Sequence, residues 1–143
     1  MRHRKEAELT EPVARYLRRK GYRWQTTELQ FYEYCIDIYG FSQVANLTVS
    51  VELKIKNWKR AFEQSLVYQL CSDLVFMALP NETVHYVDPS VLEAEGIGLI
   101  SVGTNNRCQI IVEPNPSNVM RDNYRRQNID LLRQKRSRVY ASR

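Results

Sequence analysis

The expected fold is decided by one short segment, VSVELKI, which occupies residues 49–55. Its β-branched apolar residues alternate with polar ones, which predicts a strand over residues 47–55. Because side chains alternate along a strand, Glu52 and Lys54 point to one side and Leu53 points into the opposite layer. A carboxylate on a mostly apolar strand is costly if it is desolvated without a partner. Glu52 therefore needs either solvent or a binding partner.

A second acidic residue, Asp37, lies in a similar apolar setting, CIDIYG at residues 35–40. This segment predicts a strand over residues 32–41, and the polar turn at residues 42–46 connects it to the strand that carries Glu52. In such a hairpin the two carboxylates come close together and repel each other. A divalent cation, Mg²⁺ or Mn²⁺, would remove that conflict.

The position of Lys54 adds an ammonium group beside the two carboxylates. Phosphodiester hydrolysis needs a metal that polarises the phosphate and lowers the pKa of water, and a cation that stabilises the attacking species. The backbone carbonyl of Leu53 offers a further hard oxygen ligand. The alternative is that Glu52 and Lys54 form the solvated side of an amphipathic strand with a cross-strand ion pair.

The remaining patterns predict helices and strands on both sides of this hairpin. The whole order is α-β-β-β-α-β-α-β-β-α, which indicates an α/β (mixed α+β) fold with a central mixed sheet flanked by helices. Helices are predicted over residues 10–20 (capped by Thr10 and ended by Gly21), 58–71, 89–95 and 118–136, and the other strands over residues 22–29, 73–79, 98–102 and 109–112.

Length and charge suit one domain that handles a polyanion. The 143 residues carry a net charge of +5, and both ends of the chain are basic while the middle is acidic. Residues 1–116 are expected to form the core of the domain, and residues 117–143 a basic C-terminal helix and tail of the same domain. Basic flanks suit a nucleic acid beside a cation site, although a solvated charged surface explains them equally well.

Cysteine usage and hydropathy exclude several other classes of protein. Cys35, Cys71 and Cys108 are far apart, and with only two histidines in the chain a structural zinc site lacks ligands. Three buried, reduced thiols are expected instead. No apolar run approaches the length of a membrane span and no signal peptide is evident, so a cytoplasmic protein without membrane partners is expected.

Asp37, followed on the next strand by Glu52-Leu53-Lys54, resembles the signature of the PD-(D/E)xK nuclease superfamily, which includes restriction enzymes, Holliday-junction resolvases and repair nucleases. The resemblance runs from the first helix to about Pro80, and Ile36 stands where the family often has proline. It implies a restriction-endonuclease-like fold and a Mg²⁺-dependent endonuclease that hydrolyses DNA in repair, recombination or defence. It also makes a homodimer plausible.

The resemblance implies roles for further residues. Gln64, on the helix after the Glu-x-Lys strand, is expected to orient the phosphate or water. Glu11 or Glu8, on the first helix, is expected to serve a second metal or water; Glu11 is preferred, although it can instead only favour the helix dipole. Contacts with the nucleic-acid backbone are expected from Arg18, Arg19, Lys56, Lys59 and Arg60.

Two rival hypotheses stay open at this stage. One is a catalytically inactive nucleic-acid-binding module that has the same fold. The other is an interaction protein with a negatively charged groove and no affinity for nucleic acid.

Overall fold

A computed structural model describes residues 4–141 of the chain. Residues 1–3 and 142–143, which belong to the predicted segments 1–116 and 117–143, lie outside the described residues. The strands are β1 Trp24–Phe31, β2 Tyr34–Ser42, β3 Leu47–Leu53, β4 Leu74–Pro80, β5 Gly98–Val102 and β6 Cys108–Val112. The α-helices are α1 Thr10–Arg19, α2 Trp58–Tyr68, α3 Pro89–Glu95 and α4 Asp122–Ala141, and short 3-10 helices span Glu6–Leu9 and Val84–Tyr86.

Within the described residues the six strands form one mixed sheet whose spatial order equals their order in the chain. Strands β1, β2 and β3 are antiparallel neighbours. The helix α2 then carries the chain to β4, which is parallel to β3, and α3 carries it to β5, which is parallel to β4. Strand β6 closes the sheet as an antiparallel neighbour of β5. The predicted mixed sheet with flanking helices is confirmed.

Each face of the sheet is covered by its own apolar core. One core packs α1 against the sheet through residues such as Val13, Leu17 and Val51. The other core lies on the opposite face beneath α2, α3 and α4, and includes Tyr68 and Leu132. Because both faces are covered, a polar side chain on β2 or β3 is buried unless it lies near an end of the strand.

The end of α1 explains a difference from the predicted boundaries. Gly21 has a φ of +104°, and its N–H donates to the carbonyl of Arg18 while the N–H of Tyr22 donates to that of Leu17. This pair of bonds is a Schellman motif, so Tyr22 belongs to the helix cap and β1 begins only at Trp24. At the other end Thr10 is already helical, and the capping residue is Leu9, which makes no side-chain capping bond. The prediction that Thr10 caps the helix is wrong.

The basic C-terminal helix packs on the sheet beside β1. Ile129 and Leu132 are buried in the core, and Arg125 pairs with Asp73 at 3.0 Å. Helix α4 begins at Asp122 rather than at residue 118. No helix in the described part of the chain combines the length and apolar character needed to cross a membrane.

Candidate active site

The candidate site lies where β2 and β3 separate. The last pair in their antiparallel ladder joins Ile38 to Val51. One step further would place Asp37 opposite Glu52, but the ladder ends there. An antiparallel break of this kind leaves backbone groups without strand partners, and side chains must satisfy them. The expected proximity of Asp37 and Glu52 thus follows from the register.

Asp37 fills this break with its own carboxylate. Its Oδ2 atom accepts a hydrogen bond from the N–H of Leu53 at 2.7 Å, which replaces the missing ladder bond. Burial raises the pKa of Asp37, and the bond from Leu53 partly offsets that rise. The charges of Glu6 and Lys54 also act on the pKa of Asp37, the first raising it and the second lowering it.

Glu52 is the more deeply buried of the two acids, with 6% of its surface exposed. Its Oε1 atom accepts a hydrogen bond from the Tyr68 hydroxyl at 2.7 Å. Burial first, and the charge of Asp37 second, raise the pKa of Glu52 to about 8. The nearby charge of Lys54 acts in the opposite direction. Asp37 and Glu52 act on each other's pKa, and Lys54 acts on both, so the three side chains lie close together.

Tyr68 is a site residue that the sequence did not single out, because its spacing on α2 indicated packing. Its hydroxyl group contacts Glu52 and also lies 3.1 Å from the carbonyl oxygen of Cys35. Burial and the charge of Glu52 raise the pKa of Tyr68, so the hydroxyl keeps its proton and acts as a donor. A signal was present in the sequence: Tyr68 lies one helical turn after Gln64 and shares its face.

Gln64 has an unusual environment on the same helix. Its Oε1 atom is buried and finds no hydrogen-bond partner among the described residues. A buried amide oxygen without a donor costs about 1–3 kcal/mol. The turn before it carries Arg60, which is exposed. The structure therefore presents Gln64 as a buried acceptor on the helix face that carries Tyr68.

The acidic residues of the N-terminal segment are distributed differently from the expectation. Glu11, the preferred candidate, is 64% exposed and pairs with Arg18 at 2.7 Å and with Arg15 at 3.9 Å. Its carboxylate is thus engaged on the outer face of α1 and not with Asp37. Glu8 is half-buried in the 3-10 helix before α1. Glu6, which the sequence analysis passed over, is the residue whose charge reaches Asp37.

The expected nucleic-acid-binding residues fall into two groups. Lys56, Lys59 and Arg60 are exposed on the β3–α2 connection and the first turn of α2, directly after Lys54. Arg18 and Arg19 end α1 on the opposite face of the sheet, where Arg18 is held by Glu11.

Cys35 corrects one expectation and marks the rim of the site. The three cysteines are free, but only Cys71 is fully buried, Cys108 is half-buried and Cys35 is exposed. Cys35 is exposed because it lies in the part of β2 beyond the ladder with β3. Burial and the charges of Asp37, Glu28 and Glu52 raise the pKa of its thiol. Among the described residues, no group of three or more His, Cys, Asp and Glu side chains could hold a metal ion.

Comparisons with known proteins identify the fold alone. No protein-family model and no curated protein matches the chain. A solved structure of the SPO1766 protein of unknown function from Silicibacter pomeroyi is similar, with a TM-score of 0.69 and 19% sequence identity. The similarity covers 92% of this chain and 86% of that one.

Proposed function

We propose that the protein is a metal-dependent nuclease of the PD-(D/E)xK type that hydrolyses phosphodiester bonds in DNA. The observation that carries this proposal is the break between β2 and β3, where Asp37, Glu52 and Lys54 lie together. Carboxylate oxygens are the protein ligands that Mg²⁺ and Mn²⁺ prefer. The buried carboxyl group of Glu52 beside the half-buried carboxyl group of Asp37 is a donor set that fits such a cation, because the cation would relieve their repulsion.

The metal would be held by Asp37 and Glu52, with the carbonyl of Leu53 and the carboxylate of Glu6, whose charge acts on Asp37, as further candidates. When bound, it would polarise the phosphate and lower the pKa of water. The bond from the Leu53 N–H fixes the orientation of Asp37, and the Tyr68 hydroxyl fixes that of Glu52. Lys54 supplies positive charge beside the reacting phosphate. The buried Oε1 atom of Gln64 has no hydrogen-bond partner among the described residues, so it can accept a hydrogen bond from a water molecule.

The basic residues after β3 support a polyanionic substrate. Lys56, Lys59 and Arg60 follow the site residues within one short segment and are exposed. A row of cations next to a carboxylate pair attracts a nucleic-acid backbone while the carboxylates stay reserved for a metal.

A cleavage assay tests the proposal. Supercoiled plasmid, linear duplex, branched DNA and single-stranded DNA are incubated with the protein in Mg²⁺, in Mn²⁺ and in EDTA. We expect cleavage in a divalent metal and none in EDTA. Asp37→Asn and Lys54→Met are expected to reduce the rate at least about 100-fold, since each removes a charge that acts on the transition state.

Matched controls separate catalysis from general charge effects. Asp130→Asn and Lys135→Met make the same chemical changes on the exposed surface of α4 and are expected to leave cleavage unchanged. Salt-dependent binding without cleavage in either metal would reject the enzyme and leave a DNA-binding module. A protein that shows no binding and no cleavage would reject both the nuclease and the DNA-binding module.

A further inference from the structure

A polar cavity of about 710 Å³ opens on the α1 side of the sheet, outside the carboxylate pair. Its walls are formed by the end of α1, the residue after β4, and the β5–β6 hairpin. Its lining includes Tyr16, Arg19, Lys20, Asn81, Arg107 and Cys108. Among the described residues that line it there is no aspartate or glutamate. The cavity is therefore a basic pocket without built-in countercharge.

Among the residues that the structure describes, three cations line this cavity: Arg19, Lys20 and Arg107. Within the part of the chain that the structure describes, neither Arg19 nor Arg107 is engaged in an ion pair. Lys20 lies over the ring of Tyr16, with its Nζ atom 5.4 Å from the ring centre. Guanidinium groups that are not tied to carboxylates are available for phosphate oxygens, which they bind through two parallel N–H bonds.

Arg4 binds the backbone at the end of β5, next to Gly103, which lines the cavity. Its guanidinium donates to the carbonyl oxygens of Val102 and Gly103 at the end of β5. It also pairs with Glu82 at 3.1 Å. The carbonyl oxygens of Val102 and Gly103 also accept bonds from the N–H groups of Asn81 and Asn106, and Arg4 balances the charge of Glu82 near the cavity.

The cavity lies on the α1 face of the sheet and the carboxylate pair lies on the α2 face, where Glu52 contacts Tyr68, but both lie near the end of the sheet where β3, β4 and β5 finish. Strands β3, β4 and β5 are parallel, so Lys54, Asn81 and Gly103 all follow C-terminal strand ends there. Neighbouring strands are about 4.8 Å apart, which puts the ends of β3 and β5 about 10 Å from each other. The N-terminal segment links the two places, because Arg4 binds the end of β5 while the charge of Glu6 reaches Asp37.

We infer that this cavity binds a backbone phosphate of the DNA strand, a few nucleotides from the bond cut at the carboxylate pair. The inference rests on the proposed function, since it takes the same strand to cross both places. Arg19 and Arg107 hold the phosphate from two sides, and the segment with Lys56 and Lys59 holds the strand on the other side of the cut. The cavity thereby fixes the register of the strand over Asp37 and Glu52.

The cysteines provide a direct test. Cys108 lines the cavity, Cys35 lies at the rim of the carboxylate site, and Cys71 is buried. The wild-type protein is alkylated with N-ethylmaleimide with and without a short DNA duplex in Ca²⁺, and labelling at each cysteine is measured by peptide mass spectrometry. We expect DNA at saturation to slow labelling at Cys35 and Cys108 at least about threefold. Cys71 stays unlabelled and reports that the fold is intact.

The four outcomes separate the cavity from the proposed function. Protection of both Cys35 and Cys108 supports the inference. Protection of Cys35 alone overturns the inference and leaves the proposed function standing. Protection of Cys108 alone supports the cavity as a DNA site and counts against the carboxylate centre, and protection of neither overturns both. If inorganic phosphate protects Cys108 as well as DNA does, the assignment to a DNA backbone is overturned.

Two double variants measure how much the cavity contributes to DNA binding. Arg19→Gln combined with Arg107→Gln is expected to weaken duplex binding about tenfold and to lower the slope of log K against log salt by about 1–2. Arg121→Gln combined with Arg126→Gln removes the same charge from exposed positions on and next to α4, and we expect a change below about twofold. Equal losses in the two variants would overturn the inference, because a general charge effect would then explain the binding. Thermal unfolding of both variants checks that they fold.

Discussion

Replacing Glu52 by glutamine should stabilise the metal-free protein. At pH 7 a carboxyl group with the ordinary pKa of 4.5 is ionised, whereas the pKa of Glu52 in the folded protein is about 8. Folding at pH 7 must therefore bury a charge or take up a proton. The free energy of unfolding is lowered by about 1.4 kcal/mol for each pH unit between 4.5 and 7, or about 3 kcal/mol in all. Relaxation around the pair and the altered contact with Asp37 reduce the recoverable part to about 1–3 kcal/mol.

The sign of the effect follows from the direction of the shift. Because the pKa of Glu52 is higher in the folded than in the unfolded state, the wild type loses stability as pH rises from about 4.5 and stops losing it above about 8. Glu52→Gln lacks this loss, so the difference between variant and wild type should widen from pH 5 to pH 8. The amide oxygen of the variant can still accept the bond from Tyr68, so the tyrosine hydroxyl keeps its partner, and the amide N–H groups face the carboxylate of Asp37, which acts as an acceptor.

Thermal unfolding in EDTA between pH 5 and pH 8 measures the effect. For a chain of this size, we expect Glu52→Gln to raise the melting temperature by about 3–10 °C at pH 7–8 and by much less at pH 5. Mg²⁺ or Mn²⁺ should raise the melting temperature of the wild type and not that of the variant. Glu63→Gln, the same change at an exposed position of α2, is the control and should shift it little. A variant that melts at or below the wild type at pH 8 would refute the reasoning.

Three further substitutions probe neighbouring contacts. Tyr68→Phe removes the donor to Glu52 and should lower the free energy of unfolding by about 1–3 kcal/mol in urea titrations; an unchanged midpoint would contradict the assigned bond. Arg125→Ala removes the cation that pairs with the carboxylate of Asp73, which is 15% exposed. The free energy of unfolding in urea should fall by about 2 kcal/mol. No change would show that solvent replaces the ion pair. Gln64→Leu removes a buried oxygen that lacks a partner among the described residues. The free energy of unfolding should stay the same or rise by up to about 1 kcal/mol, while the cleavage rate falls at least about tenfold. A loss of stability above about 2 kcal/mol would mean that the oxygen has a hydrogen-bond partner in the fold.

The sequence was most informative where side-chain periodicity and register coincide. The turn at residues 42–46 joins strands whose observed ladder runs from Ile38↔Val51 to Ser42↔Leu47. That register is enough to place Asp37 opposite Glu52, and the period of two then places Lys54 beside them. Helix α3 and strand β5 occupy the predicted residues, because proline and Gly96 mark the ends of that helix sharply.

What the sequence did not predict depends on tertiary contacts between distant segments. Tyr68 is separated from Glu52 by 16 residues, and only the packing of α2 on β3 turns a core tyrosine into a donor for the site. Glu6 reaches Asp37 because the first 3-10 helix lies at the open edge of the sheet, which no local pattern shows. Glu11 fits a catalytic role by spacing, but Arg18 lies two turns away on the same helix face and binds its carboxylate.

The repulsion between Asp37 and Glu52 destabilises the fold, and this loss of stability requires an explanation. A proton shared by Asp37 and Glu52 would relieve the repulsion as a cation would, and the protein would then be stable and inert at the site. The two explanations differ in what they require of pH and metal together. A structural proton makes the melting temperature insensitive to Mg²⁺ at every pH. A metal site makes the effect of Mg²⁺ grow as pH rises towards 8, because the cation must displace the proton from Glu52. The buried oxygen of Gln64, which has no partner among the described residues, favours the second explanation, because water bound to a cation can donate to it and a proton shared by the two carboxyl groups cannot.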